Sequence, residues 1–375
     1  MITEIKLRNF KCFEFLELPL GPLTILSGTN SAGKSSVLQA LLLLRQTALH
    51  QQLRQQQTAV LNGELVQLGR ADAVVREDAE DSPIDIAVSW KDGADAGWRL
   101  LSDTNGTDLR IVVVPDDEIW MQRTPIEHCR YVSADRIGPK VAYPISDIIV
   151  RTGRDLGARG EFVAHYLALY GDERIPNDSL HFDGLSFGNA EPASSFKLRH
   201  EVEAWLGLLV PGVRLAVEQP KELDVVRMAF QFPGQVGLTE PRRPTHVGFG
   251  LSYVLPIFVA VLAAPPGSLV MLENPEAHLH PRAQRLLVEL LARAAAAGVQ
   301  IIVETHSDHV LNGARLAVRR KTLQPEDVRV HFFTHDPQTG RPEKLSPQIQ
   351  KSGALTDWPP GFFDEWDRAL DELFN

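Results

Sequence analysis

The eight residues Gly28–Ser35 constrain this chain most, because they fill every fixed position of the phosphate-loop pattern G-x-x-x-x-G-K-[ST]. An apolar run, Leu23–Ser27, precedes them, and a helix-like run, Ser36–Arg45, follows. Strand, glycine loop and helix in this order turn the backbone N–H groups of the loop inward, where they bind phosphate. The sequence therefore predicts a nucleotide site at this loop.

The residues of the loop have distinct predicted roles. Lys34 is expected to reach the outer phosphates as a point charge, and the Ser35 hydroxyl is expected to hold Mg²⁺. Backbone N–H groups supply the remaining contacts. The predicted nucleotide-binding set is Gly28, Asn30, Ser31, Ala32, Gly33, Lys34, Ser35 and Ser36.

Charge and cysteine usage narrow the class of protein. The 375 residues carry a net charge of −10, which argues against a general, charge-driven affinity for nucleic acid or anionic membrane. DNA as a partner is therefore not indicated by charge. Two cysteines without metal-ligand spacing fit a reducing compartment, and the start of the chain shows no signal-peptide pattern, so we expect a cytoplasmic protein.

One long uncharged run, Phe249–Leu272, has the length of a membrane span. Pro265–Gly267 interrupts it, because proline and glycine break both helices and strands. We therefore expect a buried helix, a turn and a buried parallel strand here, and no membrane partner.

The first two thirds of the chain show strands followed by helices. Ile2–Leu20 reads as a hairpin, and the polar, glutamine-rich residues 46–57 read as an exposed helix end or a linker. A small antiparallel sheet is expected from Ile84–Trp90 and Leu109–Val114. Helices are expected at Glu161–Tyr170 and Phe196–Leu209, and no sustained heptad run indicates a coiled-coil arm.

The last third alternates strand and helix, which predicts a parallel sheet with its function at the carboxyl ends of the strands. The expected elements are Leu269–Leu272, Arg282–Ala297, Val299–Val303 and Ser307–Arg320.

Two of these strands end in residues suited to phosphate chemistry. Glu273 directly follows the first and is placed to serve a phosphate-bound Mg²⁺, while His306 follows the second and can reach a γ-phosphate or orient water. Arg136, in the loop Ser133–Pro139, is expected either to contact phosphate or a partner, or to form a surface salt bridge.

These motifs, with the leader Leu7–Phe13, resemble the ABC-type ATPase heads of the SMC, RecF and OLD (overcoming lysogenization defect) group. The chain looks closest to a compact bacterial branch of AAA-family ATPases with a carboxy-terminal domain of unknown function. That branch ends in a Trp-Pro-x-Gly-Phe-Phe-Asp box, found here as Trp358–Asp364. The resemblance implies an α/β P-loop NTPase fold with a mixed or parallel central sheet, an antiparallel β subdomain and a helical insertion.

The resemblance also divides the chain into four segments. Residues 1–70 would be the amino-terminal lobe with the Walker A loop, and 71–245 an insertion of strands and helices. Residues 246–321 would carry the signature, Walker B acid and switch histidine, and 322–375 would be a carboxy-terminal extension.

The family's functional residues map onto matching positions. Glu273 would be the Walker B acid, His306 the switch histidine, and Ala277–His280 the loop that crosses to a partner subunit. Gln67 would be the glutamine that contacts Mg²⁺. In the signature segment Val247–Tyr253, Gly248 and Gly250 would cap the ATP of the opposite protomer. The implied cofactors are ATP and Mg²⁺, and the implied assembly is a homodimer with two ATP molecules between its heads.

Two positions depart from the family pattern. Gly248 stands where a serine is usual, so Ser252 or Thr245 would have to supply the hydroxyl that this serine provides in the family. Asn274 stands where the catalytic glutamate is usual, and an amide cannot accept a proton at neutral pH. Hydrolysis would then be slow, or would depend on a base among Glu276, Glu304 and His306.

The expected function is an ATP-dependent dimeric switch that engages a separately encoded protein effector or DNA, in defence against phage or in genome maintenance. A scaffold that binds ATP without hydrolysing it, and an OLD-like nuclease subunit, are the alternatives. Against the nuclease, no Asp-x-Asp pair follows His306. Against a transporter ATPase, the signature lacks its serine.

Overall fold

The computed structural model of the chain describes residues 1–50, 58–79, 83–103, 108–113, 129–184, 190–358 and 371–373. The glutamine-rich residues 51–57 and positions 359–364 of the carboxy-terminal box lie outside this part of the chain. Two compact units are present. Unit 1 comprises Met1–Arg123 and Glu304–Asn375, and unit 2 comprises Thr124–Val303. The division into four segments stays a prediction.

The strands, in chain order, are β1 (Ile2–Phe10), β2 (Phe13–Pro19), β3 (Leu23–Gly28), β4 (Ile84–Trp90), β5 (Asp95–Ser102), β6 (Leu109–Val113), β7 (Cys129–Val132), β8 (Tyr143–Pro144), β9 (Arg214–Glu218), β10 (Val225–Gln231), β11 (Leu269–Glu273), β12 (Gln300–Glu304), β13 (Val328–His335) and β14 (Pro342–Leu345). The longer helices are α1 (Lys34–Leu49), α2 (Val163–Tyr170), α3 (Leu198–Gly207), α4 (Phe249–Leu262), α5 (Pro281–Ala296) and α6 (Asp308–Arg319).

An antiparallel sheet in unit 1 has the strand order β2-β1-β4-β5-β6. The predicted hairpin β1–β2 is confirmed, with Ile5 opposite Leu18, and β1 pairs with β4 on its other side. The strand β5 was not among the strands predicted from the sequence, although its buried residues Ala96, Trp98 and Leu100 alternate with exposed or half-buried ones. It pairs with β4 on one side and with β6 on the other.

The strand before the phosphate loop, β3, belongs to a second set of hydrogen-bonded strands in unit 1, in the order β14-β13-β3. β3 runs parallel to β13, so that Leu23 pairs with Val328 and Gly28 with Phe333. Five of the six residues of β3 are buried, as expected of a central parallel strand. The chain then enters α1, whose apolar residues from Val37 to Leu44 are buried. The predicted succession of strand, loop and helix is confirmed.

In unit 2, β11 lies between β12 and β7 and runs parallel to β7. The uncharged run divides as predicted, because α4 ends at Leu262 and β11 begins at Leu269 after a turn. α4 is buried from Leu251 onwards except at Tyr253. Across the described ranges, every helix is too short or too polar to cross a membrane.

The middle of unit 2 contains a small antiparallel sheet, β8-β10-β9, together with α2 and α3. Both predicted helices are present with shorter bounds, and Trp205 of α3 is fully buried against Phe182 and Phe258. The contact of Trp205 with Phe258 packs α3 on α4, the helix that contains Gly250 of the predicted signature segment.

Candidate functional site

The phosphate loop begins where β3 meets its neighbour. Gly28 has φ +133°, and a Cβ at this position would lie 1.9 Å from the carbonyl oxygen of Phe333. Only glycine fits such an approach. The next residue, Thr29, donates its N–H to the same carbonyl at 3.0 Å. The parallel partner strand therefore determines where the chain leaves the sheet and begins to curl.

Positive φ angles then curl the loop. They occur at Ser31 (+63°) and at Gly33 (+101°), the residue before α1. The Lys34 ammonium, on a residue only 4% exposed, donates to the carbonyl oxygens of Thr29 at 2.6 Å and Gly28 at 3.1 Å. Burial lowers the pKa of Lys34, and the charge of Glu304 opposes this change. The lysine thus lies inside the curled loop, against the carbonyls of its own backbone.

Ser35 is the next residue, and its hydroxyl donates to Glu304 Oε1 at 2.7 Å. Glu304 ends β12, is 5% exposed, and begins the second segment of unit 1. The following N–H, of Thr305, donates to Leu26 on β3 at 2.9 Å and so fixes this position. His306 is exposed at the turn that follows. From the sequence, Glu304 was expected only as a substitute base, and its contact with Ser35, the serine expected to hold Mg²⁺, was not predicted.

Gln67 lies in a loop rather than in a strand. It is exposed and forms an isolated bridge with Asn62. Gln46 of α1 fastens this loop: its amide N–H group donates to Val60 and Val66, and its amide oxygen accepts from Leu65 and Val66. The prediction of an exposed helix end or a linker is wrong for Gln46, which is 1% exposed within α1. Glutamine on a helix is ordinarily solvated, so the sequence pattern did not indicate its burial.

The predicted Walker B acid lies in unit 2. Glu273 ends β11, and its Oε2 accepts from the N–H of Ala134 at 3.2 Å. Asn274 has φ +42°, in the left-handed region that asparagine tolerates better than most residues. Its Oδ1 is buried and has no hydrogen-bond partner among the residues described. Glu276 is half-buried two residues on. The assigned roles of Glu273, Asn274 and Glu276 stay predictions.

Arg136 differs from both expectations. It is 1% exposed, so a surface salt bridge is wrong, and its guanidinium is occupied by backbone carbonyls. It donates to Ser133, to Glu273 and, at 2.7 Å, to Asn274. Burial lowers the pKa of Arg136, while Glu276, Tyr253 and Glu273 oppose the change. An arginine that satisfies three carbonyls is a structural clamp, which its position in a polar loop does not indicate.

The predicted signature segment, Val247–Tyr253, overlaps the first residues of α4. Gly248 precedes the helix and is exposed, while Gly250 lies where a Cβ would come within 2.9 Å of the His278 carbonyl oxygen. The rings of Tyr253 and His278 meet edge to face at 4.5 Å. Of the two proposed replacement hydroxyls, Ser252 is buried and Thr245 is exposed. A cavity of about 380 Å³ adjoins this segment, lined in part by Gly248, Gly250, His278 and His280.

The donor set of the phosphate loop fits magnesium. Mg²⁺ bound to phosphates takes one or two protein oxygens and keeps several waters. Ser35 and Glu304 supply a hydroxyl and a carboxylate in contact with each other. Within the described ranges no group of three or more His, Cys, Asp or Glu side chains is arranged to hold a metal ion. The side chains present therefore suit a metal that arrives with a nucleotide.

Three family models match the chain. "AAA ATPase domain" matches residues 1–105, and "AAA domain, putative AbiEii toxin, Type IV TA system" matches 172–312. "Protein of unknown function (DUF3696)" matches 323–373. The resemblance to AAA-type ATPases with this carboxy-terminal segment is confirmed. A stretch of 41 residues is also 46% identical to part of the OLD nuclease of Thermus scotoductus. The stretch covers 11% of this chain and 8% of that protein.

Solved structures of SMC heads share the fold of this chain. One, bound to the C-winged helix domain of ScpA, has a TM-score of 0.52 and 14% identity, over 94% of this chain and 99% of that chain. Another, derived from Pyrococcus furiosus, is an Smc head with an extended coiled coil bound to the C-terminal domain of ScpA. It has a TM-score of 0.53 and 12% identity, over 100% and 99%. The predicted α/β head fold, with mostly parallel and additional antiparallel strands, is confirmed.

Proposed function

We propose that this ATPase binds Mg·ATP at the loop Gly28–Ser35, hydrolyses it slowly, and acts as a nucleotide-gated dimeric switch. The observation that carries the proposal is the position of Lys34, buried inside a curled loop with its ammonium on two loop carbonyls. A phosphate offers that ammonium a stronger, charge-assisted partner than a carbonyl. The same loop presents N–H groups at the start of α1, where anions are favoured.

The side chains of the loop would act in sequence as nucleotide enters. Lys34 transfers its hydrogen bonds from the Gly28 and Thr29 carbonyls to phosphate oxygens. Ser35 would hold Mg²⁺ through its hydroxyl oxygen, and the metal would supply neutralisation of the phosphate charge. His306, exposed after Glu304, donates to the terminal phosphate or orients water. Glu273 is proposed as the Walker B acid on the strength of its motif.

Nucleotide binding is tested by titrating a fluorescent ATP analogue into the protein with Mg²⁺. Lys34→Ala should weaken binding roughly ten- to hundred-fold, because hydrogen bonds to charged groups contribute about 1.5–3 kcal/mol. Lys91→Ala is the matched control, since Lys91 is an exposed lysine of the same unit. Unchanged affinity in Lys34→Ala, or no binding by the unaltered chain, would contradict the proposal.

The switch is proposed to close as a homodimer around two ATP molecules and to engage a separately encoded effector. The proposed setting is phage defence or DNA maintenance, for which the toxin-related family description and the partner-bound SMC heads offer support by analogy only. Native mass measurement with and without Mg·ATP tests the dimer. A mass that stays monomeric with ATP bound would contradict it.

Two alternatives have different signatures. A scaffold that binds ATP without turning it over is favoured by Asn274 and would release no phosphate under conditions that form the dimer. An OLD-like nuclease subunit is suggested by the 41-residue match and would cut DNA in a Mg²⁺-dependent manner. Cutting of DNA by the pure protein would place the nuclease ahead of the switch.

A further inference from the structure

The hydroxyl of Ser35 and the carboxylate of Glu304 are in contact although 269 positions separate them in the sequence. The contact is held from both sides. Ser35 lies in the first turn of α1, and Glu304 is fixed by the hydrogen bond that the next residue, Thr305, donates to Leu26 of β3. The carboxylate therefore belongs to the rigid frame of the loop rather than to a mobile surface chain.

The direction of this hydrogen bond determines what the serine can do. A hydroxyl has one hydrogen and two lone pairs, and a carboxylate only accepts. When Ser35 gives its hydrogen to Glu304, both lone pairs of Oγ stay available to a cation. The carboxylate keeps further acceptor sites of its own, which suit the waters that Mg²⁺ retains.

The charges around the contact are matched to a nucleotide-bound metal. Lys34 brings one positive charge into the loop, with its ammonium on the Gly28 and Thr29 carbonyls, and Glu304 brings a negative charge to the Ser35 hydroxyl. Phosphate would draw Lys34, and Mg²⁺ would draw the Ser35 oxygen and the Glu304 carboxylate. The phosphates would thus lie against a side chain of opposite charge, and the metal would lie against a carboxylate and the lone pairs of the serine oxygen.

We propose that Glu304 is a positioning residue for the metal: it orients the Ser35 oxygen towards Mg²⁺ and accepts hydrogen bonds from metal-bound water. This inference rests on the proposed nucleotide function. It adds an acid from β12 to the predicted metal set of Ser35, Glu273 and Gln67. It also gives Glu304 a role other than that of the base considered in place of Asn274.

The test measures how much Mg²⁺ strengthens binding of a fluorescent, non-hydrolysable ATP analogue, relative to binding in EDTA. Glu304→Gln should lose at least about ten-fold of this Mg²⁺ enhancement, since loss of an outer ligand partner weakens metal affinity about 10–100-fold. Affinity in EDTA should stay within about two-fold, because phosphate contacts remain. Glu343→Gln, an exposed acid of the same unit, is the matched control.

Two further measurements separate positioning from folding. Mn²⁺ added with the same analogue should give a weaker bound signal by electron paramagnetic resonance in Glu304→Gln than in the unaltered chain. Ser35→Ala should lose most of the enhancement, and adding Glu304→Gln to it should change little, because both act through one contact. If Glu304→Gln does not fold, Glu304→Asp, which keeps the charge but shortens the reach, should show a partial loss.

The outcomes distinguish failure of the role proposed for Glu304 from failure of the proposed nucleotide-binding function. If the unaltered chain binds no analogue, the proposed function fails. If it binds with full Mg²⁺ enhancement and Glu304→Gln, or Glu304→Asp in its place, keeps that enhancement, the nucleotide site stands and the role of Glu304 is overturned. Additive losses from Ser35→Ala and Glu304→Gln would likewise overturn it.

Discussion

The guanidinium of Arg136 donates at 2.7 Å to the backbone carbonyl of Asn274, the residue that stands where a catalytic glutamate is expected. A second bond, to the Glu273 carbonyl at 2.8 Å, holds the preceding residue. The arginine also lies 5.5 Å from the ring centre of Tyr253 on α4. The backbone after β11 is therefore clamped in its left-handed turn by a charge that the solvent does not reach.

Arg136→Met should lower the free energy of unfolding by about 3 kcal/mol, because each buried carbonyl left unpaired costs about 1–3 kcal/mol. Denaturant unfolding followed by tryptophan fluorescence measures this. Arg151→Met, which removes one partner of an exposed ion pair with Asp147, should change stability by less than about 1 kcal/mol. Equal effects of the two substitutions would show that the clamp is not stabilising.

Asn274 should make ATP hydrolysis slow, with a single-turnover rate well below the roughly 10 per second of a median enzyme. The amide oxygen can accept a hydrogen bond from water but cannot take its proton. Hydrolysis should vanish in Lys34→Ala, and Asn274→Glu should raise it at least about ten-fold, because general bases contribute about 10²–10⁴-fold. Phosphate release in a rapid-quench assay is the measurement.

A fast unaltered enzyme, at roughly tens per second, would contradict the role assigned to Asn274. Glu276→Gln identifies the alternative base: a further loss of rate would assign the proton to Glu276, whereas an unchanged rate would exclude it. The hydrolysis rates of Asn274→Glu and Glu276→Gln can be compared with that of the unaltered chain only if both variants bind the nucleotide with unchanged affinity.

Gln46→Ala should release the loop that carries Gln67. Removing four hydrogen bonds between a fully buried amide and the backbone of residues 60–66 should lower stability by about 3 kcal/mol. Hydrogen exchange should show faster exchange at the Leu65 and Val66 amides. Gln39→Ala, on the same helix at a half-buried position, should leave those amides protected. Unchanged protection in Gln46→Ala would rule out the fastening role.

His331 should make folding sensitive to acid. Its ring is 1% exposed; Nε2 donates to the Pro19 carbonyl, which can only accept, and Nδ1 therefore accepts from Ser346. Burial lowers the pKa of His331 from 6.5 to about 4. Between these values the unfolded chain binds a proton that the folded chain does not, so stability falls as the pH drops from 6.5 towards 4.

The loss from this residue should amount to about 3 kcal/mol across that range. It is measured as the difference in pH dependence of denaturant unfolding between the unaltered chain and His331→Gln. The variant should have the shallower slope, although it is less stable at neutral pH. His335→Gln, on the same strand, should keep the slope of the unaltered chain. Identical slopes in all three would contradict the assignment.

Local patterns in the sequence predicted the parts of this molecule that depend on neighbouring residues. The strand, loop and helix from Leu23 to Leu49 are confirmed, as is the split of the run Phe249–Leu272 into helix and strand. Glycine spacing, apolar periodicity and chain breakers act within a few residues of one another. β5 was not predicted, although its buried residues also alternate along the strand and it pairs with a neighbour on each side.

The sequence by itself thus determined the glycine loop between strand and helix, the α/β head fold and the residue types available for its chemistry. Only the tertiary structure decided that Glu304 receives the Ser35 hydrogen bond, that Arg136 is buried, and that Gln46 and His331 are internal polar groups. The physical reason is that a buried polar side chain is tolerated only when distant backbone or side-chain groups satisfy it. Strand order and register determine which distant groups lie next to each buried polar side chain, and a short stretch of sequence does not specify them.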